Sequence, residues 1–209
     1  MKNQIRQRGF TFLELMVSIT ILAILSGGVF TLFNATQKRY QAEKEYAETV
    51  QNARVALDLL SRCIRQAGNN EDPAAFAFEP LSYAGSTLTI RSDLTGSIAG
   101  GSVQQATGDP DGKLTAAYET ITINFNSSSK QIVLNAGYGE EILAENINKL
   151  EFKFYDSAGV ETATMNDVSK VSITLEALSN GSDPQSGKRN SIKLSSNVYL
   201  RSKSFTPFT

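Results

Sequence analysis

Gly9-Phe-Thr-Phe-Leu-Glu14-Leu-Met-Val-Ser-Ile-Thr-Ile-Leu-Ala-Ile-Leu-Ser-Gly-Gly-Val-Phe-Thr-Leu-Phe33 is the stretch whose reading decides the architecture. From Leu15 to Phe33 there are nineteen residues without a charge. As a helix they span about 28 Å, which matches a hydrocarbon core of about 30 Å. The interruptions are mild: Ser18, Thr20, Ser26 and Thr31 can bond back to their own helix carbonyls, and Gly27-Gly28 is tolerated in membrane helices. The reading is a single membrane span. A cleaved secretory signal would also have a basic start and an apolar run. Against it, no small-x-small cleavage site follows Phe33, and the helical pattern meets no proline until Pro73.

Lys2, Arg6 and Arg8 flank one end of the span, and Lys38, Arg39 and Lys44 the other. The positive-inside count therefore ties. The free amino terminus and the adjacency of Arg8 tip the balance towards an inward N-terminus.

Glu14 is the odd residue, because a carboxylate at mid-membrane costs about 2.5 to 3.5 kcal/mol on insertion scales. One account is electrostatic: a carboxylate in a first helical turn gains about 0.3 to 1 kcal/mol from the helix dipole and needs no further role. The other account comes from its setting, Arg8-Gly9-Phe10-Thr11-Phe12-Leu13-Glu14-Leu15-Met16-Val17. This closely resembles the type IV prepilin leader and cleavage site. The resemblance implies that prepilin peptidase cuts after Gly9, that the same enzyme N-methylates the new amino-terminal Phe10, and that Glu14 is the glutamate at the fifth mature position. On that reading Glu14 is the assembly charge partner of a neighbour's terminal amine. The chemistry is consistent, since the amine freed on Phe10 is cationic near neutral pH and Phe10 and Glu14 stand i, i+4 on one helix face.

The helical pattern continues past the membrane. Val50, Ala53, Leu57, Leu60, Ile64 and Ala67 repeat at three-four spacing as one apolar stripe. Asp58 lies four residues from both Arg54 and Arg62 on the solvated side. Gly68, Asn69-Asn70 and Pro73 form a stop signal. The stripe reads as the core contact of a following domain, and Cys63 beside it as a small buried residue. Ala53 to Gly68 resembles the corresponding helix of PilW-like minor pilins and, more loosely, of the J-type minor pseudopilin of type II secretion. Those proteins commonly carry an acidic residue where this chain has Cys63.

After Gly68 the texture changes to short alternating runs. Residues 86–92, 119–126, 131–135, 149–156, 170–178 and 191–201 read as strands, with Asn126 to Lys130 as a hairpin connection. Polar Gly-rich loops are expected over 95–113 and 180–189. Residues 142–159 resemble a strand pair and turn of PilW-like and J-type heads, and 198–202 their last strand. The expected fold is α+β: a long N-terminal helix, membrane-spanning in its first half, packed on an antiparallel β-sheet head, pilin-like. Its parts are a leader at 1–9, a helix at 10–68 with about 15–33 transmembrane, and a β head at 69–209.

Composition excludes much chemistry. The chain has no histidine and one cysteine, which removes His-based catalytic triads, zinc-protease helices, CxxC pairs and intrachain disulfides. Residues 69–209 hold 11 bases against 16 acids, so no nucleic-acid partner is expected. Asp109-Pro110-Asp111-Gly112 has the alternating aspartates of a calcium loop but lacks the later ligands, so it reads as a turn. No catalytic, metal or cofactor-binding residues are expected.

The resemblance implies a minor pilin, not an enzyme, that co-assembles through its helix into a type IV pilus or its initiating tip complex. A minor pseudopilin of type II secretion is the alternative, and a membrane-anchored ligand-binding β domain with an uncut leader the third reading. Implied partners are other minor and major pilins, prepilin peptidase, the inner-membrane assembly platform and membrane lipid. The implied location is the bacterial inner membrane, single-pass with the head outside the cytoplasm, then the pilus and cell surface, or a periplasmic pseudopilus in the alternative.

Overall fold

The computed structural model describes residues 9–70, 77–94, 114, 117–182 and 187–201. One helix, α1 (Phe12–Arg65), runs for 54 residues, about 81 Å at 1.5 Å per residue. Its first part is apolar on every side and packs on nothing among the described residues. None of the most apolar eighteen-residue window is buried, which for a helix of this hydropathy fits a membrane anchor. Ser18, Thr20 and Thr31 donate their hydroxyls to the carbonyls four residues back at 2.7, 2.8 and 2.9 Å, as the sequence predicts.

Further along, α1 becomes one-sided. Ala53, Ala56, Leu60, Cys63, Ile64 and Ala67 are buried, whereas Leu57 is only partly so. The buried arc is therefore displaced from the predicted stripe: Cys63 and Ala56 lie within it and Leu57 on its margin. Asp58 pairs with Arg62 at 2.9 Å, on the solvent side. The helix ends three residues earlier than the 68 read from the sequence because Gln66 caps it and Gly68 takes a φ of 73°, a conformation that suits glycine. The Gly68 N–H donates to the Arg91 carbonyl at 2.8 Å. Asn69 and Asp93 then exchange backbone and side-chain bonds at 2.8 and 2.9 Å, tying the helix end to the sheet.

The head has two antiparallel meanders, where the sequence suggested one β body. The first is β1 (Leu81–Ala84), β2 (Thr87–Arg91), β3 (Thr120–Asn126), β4 (Gln131–Asn135) and β5 (Glu140–Ala144), hydrogen-bonded in that order. The second is β6 (Ile147–Tyr155), β7 (Lys170–Ser182) and β8 (Arg189–Tyr199). All six predicted strands are present, and β1 and β5 are additional. Both were missed because they are short and weakly alternating: β5 reads Glu-Glu-Ile-Leu-Ala and is mostly exposed. The predicted pair over 142–159 is not a pair. β5 and β6 are consecutive in sequence but close different sheets, and the chain changes sheet at Asn146, whose φ of 61° an asparagine tolerates. Two bonds pin that switch, Ile147 N–H to Lys130 C=O and Leu178 N–H to Asn146 C=O, both 2.9 Å.

The predicted 126–130 connection is a hairpin, with the Asn126 carboxamide oxygen accepting from the N–H groups of Ser128 and Ser129. The predicted loop at 180–189 is shorter than expected, since β7 continues to Ser182 and β8 starts at Arg189. The loop at 95–113, with Asp109 and Asp111, lies outside the described residues.

Alternation puts Val171, Ile173, Leu175 and Ala177 of β7 and Leu150, Phe152 and Phe154 of β6 on one buried face. The inner half of α1 packs on β7 and β8, and Ser61 meets Ser196 at 3.3 Å. Tyr83 of β1 sits against the rings of Phe152 and Phe154, at 5.9 and 5.5 Å between centroids. Helix and both sheets thus share one hydrophobic cluster. Leu60 and Ile64, fully buried, each contribute about 1.5–3 kcal/mol of transfer free energy.

Candidate functional site

The residues singled out in the sequence, Gly9, Phe10 and Glu14, lie together at the free start of α1. Thr11 is the N-cap, with extended backbone at φ −82° and ψ 152°. Its hydroxyl oxygen accepts from the Glu14 N–H at 3.3 Å, and Glu14 Oε2 accepts from the Thr11 N–H at 3.2 Å. These reciprocal bonds form a capping box, which satisfies two donors that a helix start otherwise leaves bare. The Thr11 hydroxyl is also 3.2 Å from Oε2 and can donate to it. The signal for this arrangement was present as Thr11-Phe-Leu-Glu14, the S/T-x-x-E pattern ahead of an apolar run, and was overlooked in the charge argument.

The box alters two expectations. Phe10 precedes the N-cap, so Phe10 and Glu14 do not occupy one helix face in the uncut chain. Glu14 has an immediate physical reason within its own helix, which supports the local electrostatic account. Both local bonds fall on Oε2, leaving Oε1 outside the box.

Gly9 and Phe10 have no comparable structural reason. A Cβ built at Gly9 meets nothing within 4 Å, and its φ lies outside the left-handed region. Neither space nor backbone conformation requires glycine there. Phe10 is 89% exposed, the most exposed large apolar side chain described. A glycine and an aromatic that the fold does not use are available to another molecule.

Elsewhere the chemistry is sparse. Burial pushes the Cys63 thiol up, against a smaller opposing backbone hydrogen bond, so it is an inert core residue at neutral pH. Among the described residues no group of three or more His, Cys, Asp or Glu side chains is placed to hold a metal.

Residues 5–30 match the family model described as the prokaryotic N-terminal methylation motif. The match encloses Gly9, Phe10 and Glu14 and most of the bare apolar helix. Comparison of the chain with curated proteins finds no match. The N terminus is type IV prepilin-like, and it opens a long apolar helix packed on antiparallel β-sheets, an α+β, pilin-like architecture.

Proposed function

We propose that this chain is a PilW-like minor pilin: prepilin peptidase removes residues 1–9, Phe10 is N-methylated, and α1 carries the protein into a type IV pilus or its initiating complex. The observation that carries the reading is Gly9, a glycine with no role in the described fold, within the methylation motif and two residues before the cap of a bare apolar helix. Hydrolysis of the Gly9–Phe10 bond leaves a carboxylate on Gly9 and an amine on Phe10. That amine is cationic near neutral pH and remains so when methylated.

The cut leaves Thr11 and Glu14 intact, so the capping box survives processing and Oε1 stays available to a cation. In a low-dielectric medium a charge pair is far stronger than in water, which favours a neighbour's Phe10 amine as the partner. The exposed apolar side chains from Phe12 to Phe33 provide the surface that lipid covers before assembly and other pilin-like helices cover after it. The head projects outside the inner membrane, and the remaining partners are the prepilin peptidase and the assembly platform.

Mass spectrometry of the N-terminal peptide tests the reading. The expected chain starts at Phe10 with one added methyl group; an intact Met1 terminus in cells containing a prepilin peptidase overturns it. A deletion strain scored for both surface pili and secreted proteins distinguishes the two machines. Loss of pili alone selects the pilus, and loss of secretion alone selects the pseudopilin of type II secretion.

A further inference from the structure

Among the described residues each sheet has two terminal strands, β1 and β5 in one and β6 and β8 in the other, and one strand from each pair stands out by its charge. β5 closes one side of the five-stranded sheet and β8 one side of the three-stranded sheet. Residues 139–145, spanning β5, hold Glu140, Glu141 and Glu145 and no base, while β8 itself holds Arg189 and Lys193 and no acid. Glu140 and Glu141 are exposed, as are Arg189 and Lys193. Across β7, Lys193 faces Glu176 in register, which offsets part of its charge. Arg189 lies opposite Ser182.

Beside β5 runs a groove of about 510 Å³, between α1 at Glu45, Glu48 and Val55 and the chain at Ile142 and Glu145, with Asn180 also in its lining. Its walls expose Val55 and Ile142, each at 57%. Two of its carboxylates are engaged: Glu145 Oε1 accepts from Gln131 Nε2 at 2.9 Å, and Glu48 pairs weakly with Lys44 at 3.8 Å, well exposed. The third is not. Glu45 Oε2 is buried without a hydrogen-bond donor among the described residues, pressed against Gly181 so closely that a Cβ there would displace it. A buried carboxylate oxygen with no donor is costly to maintain and is satisfied by a cationic or N–H group entering the groove.

We propose that the free edge of β5 and its groove receive the free edge of β8 from a second copy of this chain. Unpaired N–H and C=O groups on the two edges supply a ladder, since an extended strand adds to any open sheet edge. Ile192 and Leu194, which pack against the core of their own copy and keep part of their surface exposed, then meet Val55 and Ile142. The charges select this pairing: two β5 edges oppose glutamates and two β8 edges oppose bases, while β1 bears no charged residue and the β6 lysines Lys149 and Lys153 are already paired with Glu151 and Glu161, so β5 with β8 is the attractive combination. Each copy presents both β5 and β8, so the contact is head-to-tail and leaves one edge of the pair available to a further copy. The inference concerns the head alone and stands apart from leader processing.

Cysteine crosslinking of the full chain in membranes tests it, with buried Cys63 left in place. Ile142→Cys is combined in turn with Ser191→Cys, Ser195→Cys or Asn197→Cys and treated with a mild oxidant. At least one pair is expected to give a ladder of dimers and higher species, where the single variants give none beyond a collisional dimer. Glu140→Lys with Glu141→Lys should abolish the ladder, and adding Arg189→Glu with Lys193→Glu should restore it. Absence of a ladder, a ladder indifferent to charge reversal, or loss without recovery in a head that melts like the wild type overturns the proposal. If the reversed chain melts early, Glu140→Gln with Glu141→Gln takes its place, and an undiminished ladder overturns the proposal. The leader cut is read by mass on the same samples. An uncut leader with a charge-dependent ladder would sink the functional reading and leave this one standing.

Discussion

Helix α1 is one unbroken element with two unlike halves. Between Phe12 and Phe33 large apolar side chains stand exposed around the whole circumference, while from Ala53 to Ala67 the helix buries one face and solvates the other with Arg54, Asp58 and Arg62. The outer half relies on a solvent that is itself apolar; the inner half relies on β7 and β8. Continuous backbone hydrogen bonding joins them, yet the energetics of each half are set by what surrounds it. The same difference explains why glycine costs little at Gly27 and Gly28, where nothing approaches within 4 Å.

The largest expected effect separates the halves directly. Leu60→Ala, at a position with no exposure, should destabilise the head by about 2–5 kcal/mol, seen as a lowered melting temperature of the full chain in detergent. Leu60→Asp should prevent folding by burying an unpaired charge. Leu57→Asp should cost clearly less, because Leu57 sits at the margin of the buried arc. Leu22→Ala, in the outer half, should leave the head's melting temperature unchanged. A comparable drop for Leu22→Ala would show that the halves are energetically coupled.

Glu14 sharpens the comparison at the outer end, with a smaller intrinsic effect of about 0.3–1 kcal/mol on the helix start. Glutamine can keep a capping box, whereas leucine cannot. Glu14→Gln therefore removes the charge alone, and Glu14→Leu removes charge and cap. Both variants should insert and lose residues 1–9, and both should be poorly recovered in sheared pili if the charge serves assembly. Recovery of Glu14→Gln at wild-type levels would reduce this carboxylate to its cap.

What the sequence made legible follows the same division. The outer half was readable because nothing in the head modifies it: nineteen uncharged residues and the Gly9-to-Glu14 spacing carry the whole message. The inner face was readable in outline, but its rotation was misjudged, since burial of Cys63 and Ala56 in place of Leu57 is decided by where β7 and β8 lie. The sheets were legible strand by strand where alternation is long, as in β7. Their partition into two meanders was hidden, because a single left-handed residue, Asn146, redirects the chain from β5 to β6, and the residue pattern on either side resembles a hairpin. The capping box was legible and overlooked; the groove beside β5, assembled from residues about 90 apart in sequence, was not legible at all.

Cys63 offers the smallest effect and the finest probe of the buried face. Its thiol is pushed above the ordinary range by burial. The folded head therefore holds this proton more tightly than the unfolded chain. The resulting contribution to stability is fully present below the usual thiol pKa of about 8.5 and is lost as pH rises through the higher folded value. Denaturant midpoints measured from pH 7 to pH 10 should show a shallow alkaline decline in the wild type that is reduced in Cys63→Ala, whose overall stability is lower or unchanged. At pH 7 the thiol should resist a small alkylating reagent in the folded head and react on unfolding, while a cysteine introduced at exposed Leu59 should react in both states. Rapid labelling of Cys63 in the native head would mean that the packing of α1 on β7 and β8 opens readily, and the contrast between a covered and a bare half of the helix would then be one of degree.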